Sequence, residues 1–351
     1  GTLANNGFYS LKCKDFFKSN YEFENCFLTS SCTSALEMSA VLVDIQPGDE
    51  VIIPSFTFPS TANAFILRGA TVVFCDSLPS NPNMDVSLLE GLITSKTKLI
   101  VPIHYGGTCC DIERLMKIAK NHEIQVVEDA AQAINTFITI KGGGRKALGT
   151  FGDFSTFSFH NTKNITCGAG GMLVVNDKSY IEKAYEISEN GTNKNLFDNG
   201  KILSYEWTNI GSSFQMSEIN AAFLFAQLEQ LDITQYRRKQ VWELYADKLS
   251  CLIDEIYLDS VESNHHIFYF LCSSKQERNS LIEFLKSKKI QTAFHYQSLH
   301  KSIYFKRKYA GEILNNANKY SDLLLRLPIY SDLSDEEVNF VANCVLEFYE
   351  N

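Results

Sequence analysis

One lysine lies where amine chemistry would be expected. Lys163 falls in a polar break between two apolar runs, Ser155–Phe159 and Met172–Val175, and glycines follow it at positions 168, 170 and 171. The pattern predicts a strand, a tight turn and a second strand. A lysine held on such a turn beside buried strands is desolvated, which lowers its pKa and suits the amine to Schiff-base formation. The alternative is a solvated hairpin lysine, the commoner case for any single lysine.

A cluster of hydroxyl side chains precedes the first strongly periodic helix. Ser30, Ser31 and Thr33 lead into the segment Ser34–Val43, whose apolar residues recur at helical spacing. Free N–H groups at a helix N-terminus, with hydroxyls beside them, form a seat for a phosphate group. The alternative is ordinary N-capping by serine or threonine.

An acidic and an aromatic side chain each fall at the end of a predicted strand. Asp129 follows the strand Gln125–Glu128, and Phe58 follows the strand Val51–Ile53. Open α/β sheets bind ligands at the carboxyl ends of their strands. A carboxylate there can pair with a ligand cation, and an aromatic side chain can stack on a flat ring. The alternatives are a helix N-cap for Asp129 and core packing for Phe58.

Together these four features match the needs of one cofactor. Pyridoxal phosphate requires a phosphate seat, a stacking ring, a carboxylate for its pyridinium nitrogen and a Schiff-base lysine. Lys163 follows Asp129 by 34 residues, which is enough for a crossover and a return strand. Each feature is weak alone, but their order on an α/β pattern favours the cofactor interpretation over the separate alternatives.

Short apolar runs alternate with helical segments over most of the chain. Further predicted strands are Thr71–Cys75 and Leu99–Ile103; the predicted helices are Leu11–Ser19, Ser34–Val43, Ser60–Leu67, Val86–Thr94, Ile112–His122, Tyr180–Ser188 and Gln215–Leu231. This alternation predicts βαβ crossovers and a largely parallel sheet buried on both faces. A flexible turn is favoured over a phosphate cradle for the glycine-rich Lys141–Lys146, because no helix follows at once. The polar segment Glu189–Trp207 is predicted to be a long loop.

The character of the sequence changes near Tyr236. We predict a large domain at 1–235 and a smaller α+β domain at 236–351. The predicted elements of the smaller domain are helices Arg238–Leu249, Gln276–Lys286, Asn315–Leu325 and Asp335–Tyr349 and strands His266–Cys272 and Ile290–Phe294.

Composition excludes several classes of protein. The 351 residues are 45% hydrophobic and 21% charged, as in ordinary globular proteins, and no apolar run is long enough to cross a membrane. No signal peptide is visible, and a net charge of −9 argues against a general nucleic-acid binder. The ten cysteines form no C-x-x-C pair and the seven histidines lack ligand spacing. We therefore expect free thiols in a reducing cytoplasm, with no metal site and no membrane partner.

The motifs resemble those of one known family. FSFHNTKN with its following glycines resembles the lysine motif of the DegT/DnrJ/EryC1/StrS sugar aminotransferases, and VEDAAQA resembles their aspartate motif. The resemblance runs from about Leu3 to the C-terminus. It implies a fold-type I, pyridoxal phosphate-dependent aminotransferase, an α/β protein with a mostly parallel seven-stranded sheet between helices and a smaller α+β C-terminal domain. Relatives usually have the sequence G-E-G-G after the lysine. This chain has G-A-G-G at positions 168–171, with Ala169 in place of the glutamate.

The resemblance also assigns roles to residues. Lys163 would bind the cofactor covalently and Asp129 would pair with its ring nitrogen. The other cofactor-binding residues would be Thr33, Ser34 and Ser158 at the phosphate, Phe58 on the ring, Gln132 near O3′ and, from a neighbouring subunit, Ser213 at the phosphate. The residues near the substrate would be Gly191, Thr192 and Asn193 at the nucleotide and His295, Tyr296 and His300 at the sugar.

The resemblance extends to a substrate. SENGTNK, FHYQSLH and LLLRLPIY are similar to segments of family members that move an amino group from L-glutamate to C4 of dTDP-4-dehydro-6-deoxy-D-glucose. The product, dTDP-4-amino-4,6-dideoxy-D-galactose, serves bacterial surface polysaccharides such as O-antigen and enterobacterial common antigen. The resemblance further implies a homodimer with shared active sites.

Several alternatives remain open at this point. Within the fold they are a sugar 3-aminotransferase and a 4-aminotransferase that makes the gluco epimer. A sugar dehydratase is disfavoured, because such relatives replace the lysine with histidine. A non-catalytic sensor of the cofactor or of a nucleotide sugar belongs to another class. A simple dehydrogenase is disfavoured because no G-x-G-x-x-G follows the first strand.

Overall fold

The structure is a computed structural model that describes residues 3–252 and 261–350. Residues 1–2 of the predicted large domain and residues 253–260 and 351 of the predicted smaller domain lie outside the described residues. The strands are β1 (Cys26–Thr29), β2 (Glu50–Pro54), β3 (Thr71–Cys75), β4 (Thr97–Ile100), β5 (Gln125–Asp129), β6 (Phe137–Thr139), β7 (Arg145–Ala147), β8 (Phe154–Ser158), β9 (Gly171–Val175), β10 (Val261–Glu262), β11 (Phe268–Leu271) and β12 (Leu324–Leu327).

Twelve α-helices accompany these strands in the described ranges. They are α1 (Phe8–Tyr21), α2 (Cys32–Leu42), α3 (Pro59–Ile66), α4 (Leu89–Leu92), α5 (Ile112–Asn121), α6 (Ile181–Ser188), α7 (Lys194–Asp198), α8 (Glu218–Leu228), α9 (Leu231–Lys248), α10 (Lys275–Ser287), α11 (Asn315–Leu323) and α12 (Asp335–Glu350). Short 3₁₀ turns occur at Val86–Leu88, Tyr105–Gly107, Lys178–Tyr180, Ser250–Leu252 and Leu299–Lys301.

A seven-stranded sheet with the order β1-β9-β8-β5-β4-β2-β3 forms the centre of the molecule. From β8 to β3 every neighbouring pair is parallel, whereas β9 pairs antiparallel with both β8 and β1. The mostly parallel seven-stranded sheet predicted from the sequence is therefore confirmed. The carboxyl ends of β5 and β8 meet at one edge, where they place Asp129 and the loop after Ser158 side by side.

Alternate residues of each central strand pack into separate cores on the two faces of the sheet. Ile52, Val126 and Val174 belong to one hydrophobic cluster with side chains of α1, α5 and α8. Their neighbours Val51 and Val127 belong to the other, with side chains of α2, α3 and α6. Because successive side chains of a strand point to opposite faces, apolar runs of this kind require helices on both sides.

The first helix is held by a distant carboxylate. Glu218, the first residue of α8, accepts hydrogen bonds from the backbone N–H groups of Gly7 at 2.9 Å, Tyr9 at 2.9 Å and Ser10 at 3.1 Å. A negative charge here satisfies donors that a helix N-terminus leaves unpaired and interacts favourably with the helix dipole. The contact attaches α1 to the face of the sheet that α8 covers.

A smaller unit follows around the antiparallel pair β11–β12. Its core joins residues of α9, α10 and α12, including Val241, Leu281 and Val341. The helix α9 runs without a break across the predicted boundary between residues 235 and 236. The boundary itself stays a prediction.

Three local predictions are wrong. The helix predicted over Asn315–Leu325 ends at Leu323, and Leu324 and Leu325 instead enter β12, where they pair with β11. Tertiary pairing thus overrides the helical spacing. The strand predicted over Ile290–Phe294 forms only one isolated bridge, Ala293 with Arg326. The predicted loop Glu189–Trp207 contains the short helix α7.

The glycine-rich Lys141–Lys146 joins the antiparallel strands β6 and β7. Gly142, Gly143 and Gly144 all have positive φ, at 101°, 87° and 113°, a region that glycine enters without strain. The prediction of a turn is confirmed.

All ten cysteines are free thiols, as predicted, and seven of them are buried. None of the described helices combines the length and the apolar character that crossing a bilayer requires. In the same part of the chain, no group of three or more His, Cys, Asp or Glu side chains is placed to hold a metal ion.

Candidate active site

A cavity of about 440 Å³ opens at the carboxyl edge of the sheet. Eight of the predicted site residues line it: Thr33, Phe58, Asp129, Gln132, Ser158, Lys163, His295 and Tyr296. Six others lie outside its lining: Ser34, Gly191, Thr192, Asn193, Ser213 and His300. The structure therefore gathers six of the eight residues predicted for the cofactor and two of the three predicted for the sugar. The residues predicted for the nucleotide and for a partner subunit lie outside the cavity, together with Ser34 and His300.

Lys163 lies in the loop that joins β8 to β9, as the sequence pattern predicts. Backbone hydrogen bonds from Phe159 to Gly170 at 2.9 Å and from Asn161 to Gly168 at 3.1 Å continue the hairpin beyond its strands. Burial lowers the pKa of the Lys163 ammonium from 10.5 to about 8, and the negative charge of Asp129 offsets part of this shift. A larger fraction of the amine is therefore unprotonated, and so nucleophilic, near neutral pH than for a lysine with its usual pKa.

Asp129 ends β5 with its carboxylate buried in the cavity wall. Its Oδ2 accepts a 2.7 Å hydrogen bond from Thr61 Oγ1, and its Oδ1 accepts one from the backbone N–H of Ala131 at 3.2 Å. Burial raises the pKa of this carboxyl, although both hydrogen bonds oppose the rise. Among the described residues no cation forms an ion pair with it. A protonated ring nitrogen would supply the missing positive charge.

The N-terminus of α2 faces the cavity with its first residues, Ser31, Cys32 and Thr33. Ser31 is the N-cap, and its hydroxyl accepts from the backbone N–H of Ser34 at 3.0 Å. A side chain at Gly171 would meet the backbone nitrogen of Cys32 at 2.3 Å, so only glycine lets β9 approach this helix start. Helix N–H groups beside the hydroxyls of Thr33 and Ser158 fit a phosphate group.

Ser34, a predicted phosphate ligand, forms hydrogen bonds with other residues of the helix start. Its hydroxyl lies 2.9 Å from both the Ser30 and the Ser31 hydroxyls. Thr33 donates from Oγ1 to Ser60 Oγ at 2.9 Å, and Ser60 also lines the cavity. Ser34 thus stabilises the helix start, and its direct contact with a phosphate stays a prediction.

An aromatic wall completes the cavity. Phe58 is 57% exposed although it lines the cavity, and its ring centre lies 6.1 Å from that of Tyr296. Gln132 donates from Nε2 to Tyr296 Oη at 2.8 Å, and its Oε1 accepts from the backbone N–H of Gly106 at 2.7 Å. A large apolar ring left open in a cavity fits a flat ligand stacked against it.

The sequence analysis did not predict the buried hydrogen bonds of Glu128, the residue before Asp129. Glu128 points to the opposite face of β5, is fully buried, and accepts from His104 Nε2 at 2.8 Å and from the backbone N–H groups of Gly149, Phe151 and Gly152. Burial alone would raise the pKa of Glu128, but these hydrogen bonds hold it below its usual range. The adjacent acidic residues Glu128 and Asp129 could have indicated this arrangement, since two neighbouring side chains of a strand point to opposite faces.

A second support fixes the lysine loop and was also not predicted. Asn164 donates from Nδ2 to the backbone oxygen of Asn264 at 2.7 Å, and its Oδ1 lies 2.7 Å from Nδ1 of the buried His266. Asn264 in turn donates to the backbone oxygen of Gln132 at 2.8 Å. The residue that follows Lys163 is therefore tied to the segment that also positions Gln132.

The predicted substrate residues outside the cavity lie in three places. His300 is buried against Ser55, with Nδ1 and Oγ 2.6 Å apart. The turn at Gly191, Thr192 and Asn193 pairs with the segment around Trp207, where Thr192 forms an isolated bridge. Ser213 forms a similar bridge with Glu189. Their contacts with a substrate or a second subunit stay predictions.

Comparison with known proteins decides the family. Residues 2–346 match the DegT/DnrJ/EryC1/StrS aminotransferase family. The chain is a member of the DegT/DnrJ/EryC1/StrS aminotransferase family. It is 34% identical over 328 residues to the spore coat polysaccharide biosynthesis protein SpsC of Bacillus subtilis, covering 90% of this chain and 83% of SpsC. It is 31% identical over 352 residues to GDP-perosamine synthase of Escherichia coli O157:H7, covering 99% of this chain and 92% of the synthase.

Solved structures of family members agree with the fold. Spr1654 of Streptococcus pneumoniae, a candidate sugar aminotransferase in its PLP form, superimposes with a TM-score of 0.90 at 25% identity. The similarity covers all of this chain and 93% of the other. The fold-type I prediction and the predicted cofactor are therefore confirmed. The protein is a sugar aminotransferase that depends on pyridoxal 5′-phosphate.

Proposed function

We propose that this protein transfers the amino group of L-glutamate to C4 of a nucleotide-linked 4-keto-6-deoxy sugar. Specifically, it would convert dTDP-4-dehydro-6-deoxy-D-glucose to dTDP-4-amino-4,6-dideoxy-D-galactose, in the cytoplasm, for a bacterial surface polysaccharide. The observation that carries the proposal is the convergence of Lys163, Asp129 and the N-terminus of α2 on one cavity. A nucleotide-linked substrate is supported by the relative named GDP-perosamine synthase, and a polysaccharide role by the relative named SpsC.

The residues divide the chemistry between them. Pyridoxal phosphate, when bound, supplies an electrophilic carbonyl carbon and a ring that accepts electrons. Lys163 would hold it covalently through Nζ, and the start of α2 with Ser158 would hold its phosphate. Asp129 would keep the ring nitrogen protonated, because an ionised carboxylate buried there favours a neighbouring cation.

Lys163 would have a second role once glutamate has displaced its Nζ from the cofactor. Its free Nζ would take a proton from the α carbon of the donor and deliver it to the cofactor carbon. With the sugar bound it would move a proton from that cofactor carbon to the sugar carbon, acting as general base and then general acid in each half-reaction. A pKa of about 8 suits both directions near neutral pH, since neither protonation state dominates overwhelmingly. The hydrogen bonds of Asn164 keep the loop in place during these transfers.

We further propose that the working unit is a homodimer with shared sites. Between the turn at Gly191 and Ser213 along the chain, several large apolar side chains are exposed, among them Leu203 at 99% and Trp207 at 78%. A second copy of the chain would cover these side chains, since water contact at such a patch is unfavourable. Ser213 and Gly191–Asn193 would then reach the cavity of the partner subunit.

Product analysis tests the proposal directly. The protein is incubated with glutamate and dTDP-4-dehydro-6-deoxy-D-glucose, and the product is examined by NMR. The expected product carries an axial amine at C4. An equatorial C4 amine would support the gluco-epimer enzyme, and an amine at C3 would support a 3-aminotransferase. A coloured protein that releases no 2-oxoglutarate would be a sensor and would overturn the proposal.

A further inference from the structure

One face of helix α9 donates hydrogen bonds to four consecutive backbone carbonyl groups, those of residues 264–267, which we call the strap. The bonds run from Gln235 Nε2 to Asn264 at 3.4 Å, from Arg238 Nε to His265 at 3.3 Å, from Arg238 Nη2 to His266 at 2.5 Å and from Trp242 Nε1 to Ile267 at 3.2 Å. Positions 235, 238 and 242 are three and four residues apart, so their side chains lie on one side of the helix. A single helix face therefore fixes the whole strap.

Arg238 is the central donor of this row. It is 4% exposed, and in the described part of the chain it forms no ion pair. Burial lowers its pKa from 12.5 to about 10, so the guanidinium is still charged at neutral pH. The backbone oxygen of Ile329 accepts a further hydrogen bond from Nη1 at 3.3 Å. Because a buried charge without hydrogen bonds is costly, Arg238 holds these carbonyl groups firmly.

The strap contains a residue that its neighbours must hold in place. His265 has a φ of 50°, in the left-handed region that residues other than glycine seldom adopt. Such a conformation persists only where surrounding contacts fix it. Arg238 binds its carbonyl oxygen, and the Trp242 ring packs edge-on against its imidazole ring with the ring centres 5.6 Å apart.

Side chains of the strap reach the active site. Asn264 donates from Nδ2 to the backbone oxygen of Gln132 at 2.8 Å, and His266 Nδ1 lies 2.7 Å from Oδ1 of Asn164. Asn164 directly follows Lys163 in its loop. None of the described residues that line the cavity belongs to α9, so the helix is connected to the reacting amine only through such intermediate contacts.

The hydrogen bond between Asn164 and His266 has a defined direction. Asn164 Nδ2 donates to the backbone oxygen of Asn264 at 2.7 Å and to Oε1 of Gln235 at 2.9 Å, so its Oδ1 faces His266 and accepts. His266 Nδ1 therefore carries the proton. Burial lowers the pKa of His266 far below its ordinary value, so the ring is neutral and the bond persists near neutral pH. The charges that add to this lowering are those of Lys163, Arg238, Arg326 and His295.

We propose that Arg238 is a positioning residue for Lys163. With its two neighbours in the row it fixes the strap, and the strap holds Asn164, so that the lysine loop stays where the amine is buried. The inference rests on the role proposed for Lys163 and is independent of the sugar. A looser strap lets water reach the amine. Because burial is the main cause of the lowered pKa of Lys163, this pKa then rises from about 8 toward 10.5.

Trace acetylation of the full-length protein without cofactor measures the free amine. Acetic anhydride is added at about pH 7 and at about pH 11, and mass spectrometry of the peptide that carries Lys163 gives the two rates. Their ratio cancels differences in access of the reagent. For Arg238→Met we expect this ratio to fall about tenfold, because a pKa higher by about one unit reduces the unprotonated fraction near pH 7 by that factor.

The matched control is Arg237→Met. Arg237 precedes Arg238 on α9 and pairs with Asp335 at 2.8 Å instead of with the strap. Its replacement removes the same charge and the same side-chain volume from the same helix, so the acetylation ratio should stay that of wild type. A wild-type ratio in folded Arg238→Met overturns the inference.

Trp242→Phe separates hydrogen bonding from electrostatics. It removes the hydrogen bond to Ile267 and changes no charge, so a lower acetylation ratio in this variant cannot come from a lost cation. We expect a fall of about threefold, as for one neutral hydrogen bond. If Arg238→Met does not fold, Trp242→Phe decides, and a wild-type ratio in it overturns the inference.

A double-mutant cycle tests the route. Asn164→Ala is expected to lower the acetylation ratio by itself. Adding Arg238→Met to it should lower the ratio by less than about twofold more, because both residues act through one series of contacts. Independent effects that multiply overturn the inference. The expected ratios in a protein that releases no 2-oxoglutarate from glutamate refute the proposed function and leave the positioning role of Arg238 standing.

Discussion

Thr61 donates a 2.7 Å hydrogen bond from Oγ1 to Oδ2 of Asp129, and both side chains are buried. Thr61 lies on α3 and Asp129 at the end of β5, so the bond joins a helix on one face of the sheet to a strand end. The Thr57 hydroxyl lies 2.9 Å from that of Thr61 and extends the contact. The orientation of the carboxylate is thereby set before any ligand binds.

We expect Thr61→Val to reduce turnover about tenfold with little change in fold. The substitution keeps the shape of the side chain and removes one hydrogen bond to a charged group, worth about 1.5 kcal/mol, which corresponds to roughly a factor of ten. Steady-state kinetics and thermal unfolding measure the two effects. Thr71→Val, at an exposed position of β3, is the control. Unchanged turnover in Thr61→Val would show that Asp129 needs no such support.

Lys163→Ala is expected to abolish both turnover and the visible absorbance of covalently held cofactor. The reason is that the reacting Nζ is removed, while the remainder of the cavity still provides its phosphate seat and Asp129. Absorbance spectra and 2-oxoglutarate release measure the two losses. Lys117→Ala on the outer side of α5 should retain both. Full activity in Lys163→Ala would refute the assignment.

The lowered pKa of Lys163 predicts that, without cofactor, the difference in stability between wild type and a variant lacking this amine depends on pH. Between about pH 8 and 10.5 the lysine is neutral in the folded protein but still protonated in the unfolded protein. Burying its charge therefore lowers the free energy of unfolding by the full amount below pH 8, and this loss disappears above pH 10.5. Lys163→Met should therefore be more stable than wild type below pH 8, by at most about 3 kcal/mol, and equal to it above 10.5. Urea unfolding at several pH values measures the difference, and a constant difference would contradict the shift.

Gly171→Ala is expected to destabilise the protein by about 2 kcal/mol or more and to weaken cofactor retention. Its Cβ would lie 2.3 Å from the backbone of Ser31 and Cys32, which no side-chain rearrangement relieves. Gly91→Ala in α4 is the control, because nothing lies within 4 Å of a Cβ there, and alanine favours a helix by up to about 1 kcal/mol. Equal stability of the two variants would contradict the close approach.

The hydrophobic periodicity of the central strands was sufficient to predict the parallel part of the sheet. Val51–Ile53 and Gln125–Glu128 lie within the observed β2 and β5. A strand buried on both faces carries consecutive apolar residues, as at Val51–Ile53 and Val126–Val127. Lys163 and Asp129 were found because their local contexts differ from ordinary loops and because the family motifs surround them.

The supporting residues could not be found in the same way. The partners of Glu128 lie 21 to 24 positions away along the chain, and Asn164 meets His266 at a separation of 102. Arg326 directly follows the segment predicted to be helical, Asn315–Leu325, and in the structure it pairs with Tyr269 of β11 and contacts His295. Contacts of this kind depend on the folded geometry and leave no local pattern in the sequence.

The carboxylate of Glu218 that holds α1 lies 208 positions beyond Ser10. During synthesis on a ribosome the first helix therefore emerges long before the group that will secure it. The part of its buried face around Cys13, which contacts the backbone oxygen of Ala221 in α8, can be covered only after α8 has been synthesised. The opening segment of the chain is thus among the last parts of the large unit to reach its final place.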